Sequence, residues 1–252
     1  MTRAVRPAAS AAATRATPGA PRAFPVEVEH GTVTATEYPA RAAHRPVATL
    51  ILAHGAGAGQ QSPFVTRFAA GFAARGLTVV TFNFPYTEAH RRMPDRPAAL
   101  EACVRAVVAA VADRAGTGAR LFAGGKSMGG RIVSQVAAAD GRSSPLAGLV
   151  FLGYPLHPPG RPATLRDAHL PAITVPMLFT QGSRDPFGTP AEIDAVCRRL
   201  GPRATPHIVD GGDHSFVVPR RWRLTQDAVE ASVQEVVVDW IGRVVKRRAR
   251  RS

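Results

Sequence analysis

A serine flanked by glycines stands where an apolar run passes into a helical pattern. Gly125-Lys126-Ser127-Met128-Gly129 follows the apolar residues 121–123 and fits the G-x-S-x-G nucleophile elbow. In such a turn the serine has a backbone conformation that costs a non-glycine residue about 1–3 kcal/mol, and small neighbours let strand and helix approach closely. The helix that follows directs its first amide groups toward charge that develops beside the serine. The pattern therefore predicts that Ser127 is a nucleophile.

Residues 125–127 also look like the end of a phosphate-binding P-loop, which would imply a nucleotide ligand instead. That motif requires a glycine five residues before its second glycine, and the chain has Arg120 there. This departure argues against a P-loop. The elbow pattern is itself short, and a chain with 23 glycines could contain it by accident, so it needs support from residues elsewhere.

That support comes from an acid and a histidine further along the chain. A serine hydroxyl becomes a good nucleophile only when a base accepts its proton and a third group orients that base. Asp185 follows the predicted strand 175–180, and His214 follows the predicted strand 205–209. Alone, each would be read as a turn residue or an exposed loop histidine, but the order serine, acid, histidine predicts a catalytic triad. Asp210 and Asp213 are the other candidate acids, and Asp213, adjacent to His214, more naturally shapes the turn.

An oxyanion formed during acyl transfer needs preorganised amide donors. One is expected from Met128, the residue after the nucleophile, and the other from Ala56 in the glycine-rich loop that begins at His54, whose own expected role is to shape that loop. Segment 157–174 is short for a lid, so we expect an open substrate pocket. The residues assigned to this pocket are His54, Gly55, Tyr86, Tyr154, Leu156 and Phe187.

The elements that must position these residues alternate between strand and helix patterns. An alternating stretch around His30-Gly31 predicts an edge hairpin over 24–38, and 85–95 is read as a loop. The remaining strands are predicted at 47–53, 77–84, 146–152, 175–180 and 205–209, with one more leading from Leu121 into the elbow. The main helices are predicted at 62–75, 97–115 and 228–247, with others starting after Ser127 and at Pro190. This order predicts an α/β fold with a mainly parallel central sheet and helices on both faces. Ligands of such sheets bind beyond the carboxyl ends of the strands, where the candidate residues fall.

Composition sets the limits of the domain and of its partners. The 252 residues carry a net charge of +14, but much of the excess lies in a basic leader at 1–23 and a basic tail at 248–252, on either side of one domain at 24–247. That distribution argues against nucleic acid as the main partner. No apolar run approaches the roughly 20 residues that cross a membrane. Cys103 and Cys197 form neither a disulfide framework nor a metal cluster, which suits a reducing cytoplasm.

Four segments resemble one known family. They are Leu52-Ala53-His54-Gly55-Ala56-Gly57, Phe82-Asn83-Phe84-Pro85-Tyr86, Gly125-Lys126-Ser127-Met128-Gly129-Gly130-Arg131 and Gln181-Gly182-Ser183-Arg184-Asp185-Pro186-Phe187-Gly188. Together they are similar to the KANL3/Tex30-like branch of the α/β-hydrolase superfamily, related to the dienelactone hydrolases, over roughly residues 45–245. The resemblance implies the α/β-hydrolase fold with Ser127, Asp185 and His214 in the triad positions. Dienelactone hydrolases proper have a cysteine nucleophile, and this chain has Ser127 there.

We therefore expect a single-domain serine hydrolase that cleaves a small or medium acyl ester or thioester through an acyl-enzyme on Ser127, without metal or cofactor. The resemblance also leaves a second function open, because eukaryotic relatives include a chromatin-complex subunit. That alternative is a non-catalytic interaction module on the same fold.

Overall fold

An eight-stranded sheet forms the centre of the protein in a computed structural model that describes residues 19–40, 47–222 and 224–249. The strands are β1 Arg22–Val28, β2 Gly31–Tyr38, β3 Thr49–Ala53, β4 Thr78–Phe82, β5 Leu121–Lys126, β6 Leu146–Leu152, β7 Met177–Gly182 and β8 Ala204–Val209. Their spatial order is β1-β2-β4-β3-β5-β6-β7-β8. Strand β2 pairs antiparallel with both β1 and β4, and all other neighbours are parallel. The predicted α/β class and mainly parallel sheet are confirmed.

The register of the central strands brings their carboxyl ends to one edge. Ala53 at the end of β3 is paired with Gly125 in β5, and Leu152 at the end of β6 is paired with Thr180 in β7. All residues of these four strands are buried, because helices cover the sheet on both faces. The loops that follow β3, β5, β6 and β7 therefore begin side by side, and these loops carry the candidate residues.

The helices divide between the two faces of the sheet. They are α1 Pro63–Ala74, α2 Pro85–Glu88, α3 Pro97–Ala115, α4 Met128–Asp140, α5 Pro190–Leu200 and α6 Gln226–Ala249. On one face α1 and α6 bury Phe68, Val233 and Trp240, and on the other face α3, α4 and α5 bury apolar residues such as Val104 and Ile132. Burial of these stripes at helical spacing is the main stabilising contribution of each helix.

Most predicted elements agree with the structure, and the differences have local causes. The hairpin and α3 lie where the sequence predicted them, and α5 begins with the expected Pro190 after a capping box formed by Thr189 and Glu192. The predicted loop 85–95 is wrong at its start, because Pro85–Glu88 form the short helix α2. Proline is favoured at the first helical position, and the buried Tyr86 anchors this turn to the core. Strand β7 is shifted toward the C-terminus relative to 175–180.

The chain ends are only partly described. Residues 1–18 of the predicted leader and 250–252 of the predicted tail lie outside the described residues, while β1 begins at Arg22 and α6 continues to Ala249. Between β6 and β7, segment 153–176 contains a single 3₁₀ turn at Leu170–Ala172 and no lid, in agreement with the sequence prediction. Within the described ranges, no helix combines the length and apolar character that crossing a membrane requires.

Candidate active site

Ser127 occupies the sharp turn between β5 and α4. Its backbone has φ 51° and ψ −117°, a left-handed region that side chains rarely adopt. The strain is held by close packing around the two motif glycines: a Cβ on Gly125 would overlap the Ala53 carbonyl oxygen, and one on Gly129 would lie 2.6 Å from the His54 carbonyl oxygen. The elbow geometry predicted from the sequence is therefore present. It raises the serine above the carboxyl edge of the sheet.

Asp185 and His214 are in direct contact. His214 Nδ1 lies 2.7 Å from Asp185 Oδ2, and the other carboxylate oxygen, Oδ1, accepts a hydrogen bond of 2.9 Å from the Phe187 amide. The Asp185 side chain is fully buried while 20% of the His214 side chain is exposed, so the acid lies behind the ring and the ring faces the solvent side. The Phe187 ring packs against His214 with 4.2 Å between centroids. Phe187 thus contacts both members of the pair.

The two other candidate acids have different contacts. Asp213 Oδ1 accepts hydrogen bonds from the amides of Ser215 at 2.7 Å and Val217 at 2.9 Å, so it shapes the turn that carries His214. Asp210 Oδ1 lies 3.4 Å from the hydroxyl of Ser183. Neither is the carboxylate that contacts the imidazole.

Gln181 is a site residue that sequence reasoning missed. Its buried side chain donates through Nε2 to Asp185 Oδ2 at 2.9 Å and to the Gly188 carbonyl at 3.1 Å, while Oε1 accepts 2.8 Å from the Tyr154 amide. It therefore ties the carboxylate to the loops after β6 and β7. The sequence shows only that Gln181 lies four residues before Asp185. That spacing does not predict a contact, because a glutamine at the end of a strand can have many structural roles.

A cavity of about 610 Å³ opens beside the nucleophile. Ser127 and His214 line it together with Ala56 and Met128, the two predicted oxyanion donors. The Met128 amide opens α4 and has no acceptor within the helix, as expected for a first helical position. Within the described residues, Ser127 Oγ forms no hydrogen bond with His214. In proteins without bound substrate such contacts are often loose and tighten only when substrate is present.

The predicted pocket needs correction at four positions. Gly55 and Phe187 line the cavity, but His54, Tyr86, Tyr154 and Leu156 are each at most 1% exposed and do not line it. The three residues other than His54 belong to the hydrophobic core beneath the cavity floor. The Tyr154 hydroxyl donates to the Arg166 carbonyl at 2.7 Å, and its ring packs on Phe151 and Phe179. Their side chains point inward because the loops that bear them must cover the ends of the apolar strands.

His54 shapes the oxyanion loop. Nδ1 lies 2.8 Å from the Gly55 carbonyl oxygen, and Nε2 accepts 3.3 Å from the Phe84 amide. Burial lowers the pKa of His54, although the Gly55 contact acts in the opposite direction. The ring is therefore held neutral, with its proton on Nδ1. This is the shaping role predicted from the sequence, and it ties the loop after β3 to the loop after β4.

Lys126, the residue before the nucleophile, is an unexpected component of the site. Its side chain is only 8% exposed, lines the cavity, and donates from Nζ to the His214 carbonyl oxygen. Burial lowers the pKa of Lys126 to about 8, while Asp185 and Asp213 act in the opposite direction. Lys126 thus connects the elbow to the loop that carries the histidine.

Further polar residues on the cavity wall were also missed. Arg131 lies four residues after Ser127 on α4, a spacing that puts both residues on one helix face and could have been used. Arg166 and Asp95 come from the loops before β7 and α3 and had no sequence signal. Among the described residues, no group of three or more His, Cys, Asp or Glu side chains could hold a metal ion.

Comparison with known proteins gives one family and several similar structures. The family model described as an alpha/beta hydrolase domain matches residues 46–242. The chain is similar to an alpha-beta serine hydrolase homologue from Coxiella burnetii, with 18% identity, 86% of this chain and 96% of that chain covered, and a TM-score of 0.67. A serine hydrolase without a lid from Xanthomonas campestris has 19% identity, 92% and 96% coverage, and a TM-score of 0.66. A dienelactone hydrolase from Anabaena variabilis has 17% identity, 88% and 96% coverage, and a TM-score of 0.68. At these identities the structures show a shared fold.

Proposed function

Because the chain belongs to the alpha/beta hydrolase family, we propose that it is a serine hydrolase that cleaves a small or medium acyl ester or thioester. The observation that carries the proposal is the Asp185–His214 contact of 2.7 Å beside a strained Ser127 on the same cavity. A serine with φ near 51° is strained, and folding alone does not require such a residue beside a cavity. Such strain is typical of functional sites.

The proposed mechanism assigns each group one task. Ser127 Oγ attacks the carbonyl carbon of the substrate while His214 Nε2 accepts the hydroxyl proton, and Asp185 holds Nδ1–H and stabilises the imidazolium. The amides of Ala56 and Met128 donate hydrogen bonds to the oxyanion. His214 then transfers its proton to the leaving alcohol or thiol, which departs and leaves an acyl group on Ser127. His214 then takes a proton from a water molecule, whose oxygen attacks the acyl carbon. The bond between this carbon and Ser127 Oγ breaks, His214 returns the proton to Oγ, and the acid is released.

The size of the proposed substrate follows from the open cavity. Segment 153–176 provides no lid that could cover a long acyl chain, and the cavity of about 610 Å³ suits a small or medium group. Hydrolysis of a series of p-nitrophenyl esters of increasing acyl length tests this part. A strong preference for long-chain triglycerides over short esters would contradict it.

Labelling with a fluorophosphonate probe tests the nucleophile. We expect intact-mass and peptide analysis to find modification at Ser127, absent from Ser127→Ala and strongly reduced in His214→Ala. Ser62→Ala is a matched control because Ser62 lines the same cavity but lies away from the elbow, and it should retain labelling at Ser127. For the best ester, Ser127→Ala should lower kcat by about 10⁴–10⁶. An unlabelled but folded parent protein would favour the non-catalytic interaction module instead.

Two finer assignments belong to the proposal. We place the chain in the KANL3/Tex30-like branch on the four segments quoted above. We also propose a reducing compartment, the cytoplasm. Cys103 and Cys197 are both free and buried, and burial raises the pKa of each thiol to about 12, so neither is suited to disulfide exchange.

A further inference from the structure

Two guanidinium groups lie on the wall of the proposed active-site cavity. Arg131 is on the second turn of α4, and Arg166 is on the segment between β6 and β7. Both are half-buried, and Arg166 is held in place by its backbone, whose amide donates to Leu156 at 2.8 Å and whose carbonyl accepts from Tyr154 at 2.7 Å. The two arginines therefore approach the cavity from different elements.

Neither arginine has an acidic partner within the described residues. The closest side-chain acceptor of Arg131 is the amide oxygen of Gln135 at 3.5 Å, and the Arg166 side chain has none. Other arginines in the same structure have carboxylate partners: Arg67 and Arg199, which are exposed, pair with Glu230 at 2.9 Å and with Asp167, and the partly buried Arg105 pairs with Asp140 at 3.0 Å. Arg131 and Arg166 differ from these three because they line a cavity and have no carboxylate partner.

The environment of Arg131 is unfavourable for its charge. Burial, and then the nearby charge of Arg166, lower the pKa of Arg131, while Tyr154 and Glu101 act in the opposite direction. Glu101 is already 3.9 Å from Arg105. Two like charges held close together and partly removed from water are destabilising unless an anion lies between them.

The other charges on the cavity wall also favour an anionic ligand. Lys126 is a third cation, and Asp95 is the one acid that lines this cavity within the described part of the chain. Asp95 Oδ1 lies 2.7 Å from Arg91, which is outside the cavity lining, so this acid does not neutralise the arginines. Because Asp95 is paired with Arg91, the three cations leave this wall with an excess of positive charge that a carboxylate on the substrate can balance.

We propose that Arg131 and Arg166 bind a carboxylate carried by the acyl part of the substrate, so that the preferred substrate is a monoester or monothioester of a dicarboxylic acid. The hydrolysis of such a substrate rests on the proposed function, whereas the binding of its carboxylate does not. Arg131 is one helical turn beyond Ser127, a separation of about 5–6 Å along the helix face, so the carboxylate lies a few carbon atoms from the scissile carbonyl. A planar guanidinium matches a carboxylate with two parallel hydrogen bonds.

Calorimetric titration tests the binding without any requirement for catalysis. Succinate, glutarate and adipate are compared with butyrate, valerate and caproate, the matched acids that lack the second carboxylate. For the parent protein we expect at least one dicarboxylate to bind about tenfold or more tightly than its matched monoacid, as charge-assisted hydrogen bonds require. The difference should shrink as salt is added. Equal affinities for the two series would overturn the proposal, and this comparison needs no variant that could misfold.

Variants then identify the residues. Arg131→Gln and Arg166→Gln should each abolish most of the difference between dicarboxylate and monoacid. Arg142→Gln, at an exposed position with no part in the cavity, should preserve it. If the difference persists in both cavity variants, the anion binds elsewhere and the assignment is wrong.

Hydrolysis separates this inference from the proposed function. Mono-p-nitrophenyl glutarate and p-nitrophenyl valerate share an acyl length, and we expect a higher kcat/KM for the glutarate ester, with the ratio reduced about tenfold in Arg166→Gln. Dicarboxylate binding without hydrolysis of either ester would overturn the function and support the site. Hydrolysis of both esters at equal kcat/KM, without dicarboxylate binding, would support the function and overturn the site.

Discussion

The imidazole of His214 and the carboxylate of Asp185, 29 residues apart in the chain, lie 2.7 Å apart at the carboxyl edge of the sheet. Parallel pairing of β7 with β8 produces this contact, because the loops after the two strands start side by side. The buried carboxylate is further held by the Phe187 amide and by Gln181. The pair is therefore preorganised before any substrate binds.

Asp185→Asn should lower kcat/KM by about 10⁴. An asparagine of the same shape can offer its NH₂ group to Nδ1 and favour the wrong tautomer, which leaves Nε2 unable to accept the serine proton. Steady-state kinetics on p-nitrophenyl valerate measure the effect. Asp210→Asn is the matched control, because Asp210 was a rival acid by sequence yet contacts Ser183, and it should keep activity within a few-fold. Equal losses of kcat/KM in both variants would contradict the assignment of Asp185 as the acid of the triad.

Gln181→Glu should shift the acidic limb of the pH–rate profile upward, whereas Gln181→Met should lower kcat without that shift. Glutamate would place a second carboxylate beside Asp185, and two like charges at this distance favour uptake of a proton. Methionine adds no charge but removes the hydrogen bonds to Asp185, to the Gly188 carbonyl and from the Tyr154 amide, at a cost of about 1–3 kcal/mol in stability for each buried group left unpaired. Profiles of kcat/KM from pH 4 to 9, measured for both variants and the parent, check this prediction. Identical profiles would indicate that Gln181 acts on packing alone.

Lys126→Met should flatten the dependence of unfolding free energy on pH between about 8 and 10.5. The pKa of Lys126 is lower in the folded protein than its ordinary value of 10.5, chiefly through burial. Below pH 8 the lysine is protonated in both states and opposes folding, and this opposition disappears as pH rises toward 10.5. The parent protein should therefore gain up to about 3 kcal/mol from this group across the range.

Urea unfolding at several pH values measures that slope. Lys246→Met is the natural control, since Lys246 is the other lysine of the chain and is exposed on α6. It should leave the slope as in the parent. A Lys126→Met protein with the parent slope would show that the lysine retains its ordinary protonation in the fold.

Two glycine-to-alanine changes should have opposite effects on stability. A Cβ on Gly124 in β5 would overlap the carbonyl oxygen of Val150 in β6, and neither backbone can move without breaking the ladder. Gly124→Ala should therefore cost about 3 kcal/mol or more. Gly242 on α6 has nothing within 4 Å of the equivalent Cβ, so Gly242→Ala should stabilise by about 0.5–1 kcal/mol. Thermal unfolding of both variants beside the parent measures the two changes, and a Gly124→Ala protein as stable as the parent would contradict this prediction.

The amino-acid sequence by itself determined the order of strands and helices, the turn at Ser127 and the succession of Ser127, Asp185 and His214. These features depend on local periodicity and on turn residues next to apolar runs, which act over a few positions of the chain. The elbow could be predicted because only small neighbours permit a strained serine there. The α/β class followed from the alternation of the elements.

Only the tertiary structure decided which side chains face the cavity. Tyr86 and Tyr154 look like pocket residues because they follow strand ends, but packing against the core turned both inward. Arg166 reaches the site from the loop before β7, and Gln181 reaches it from the end of β7 through contacts with the loops after β6 and β7. The direction of a loop side chain is set by the competition between burial and hydration across the whole fold, and no local pattern encodes that balance.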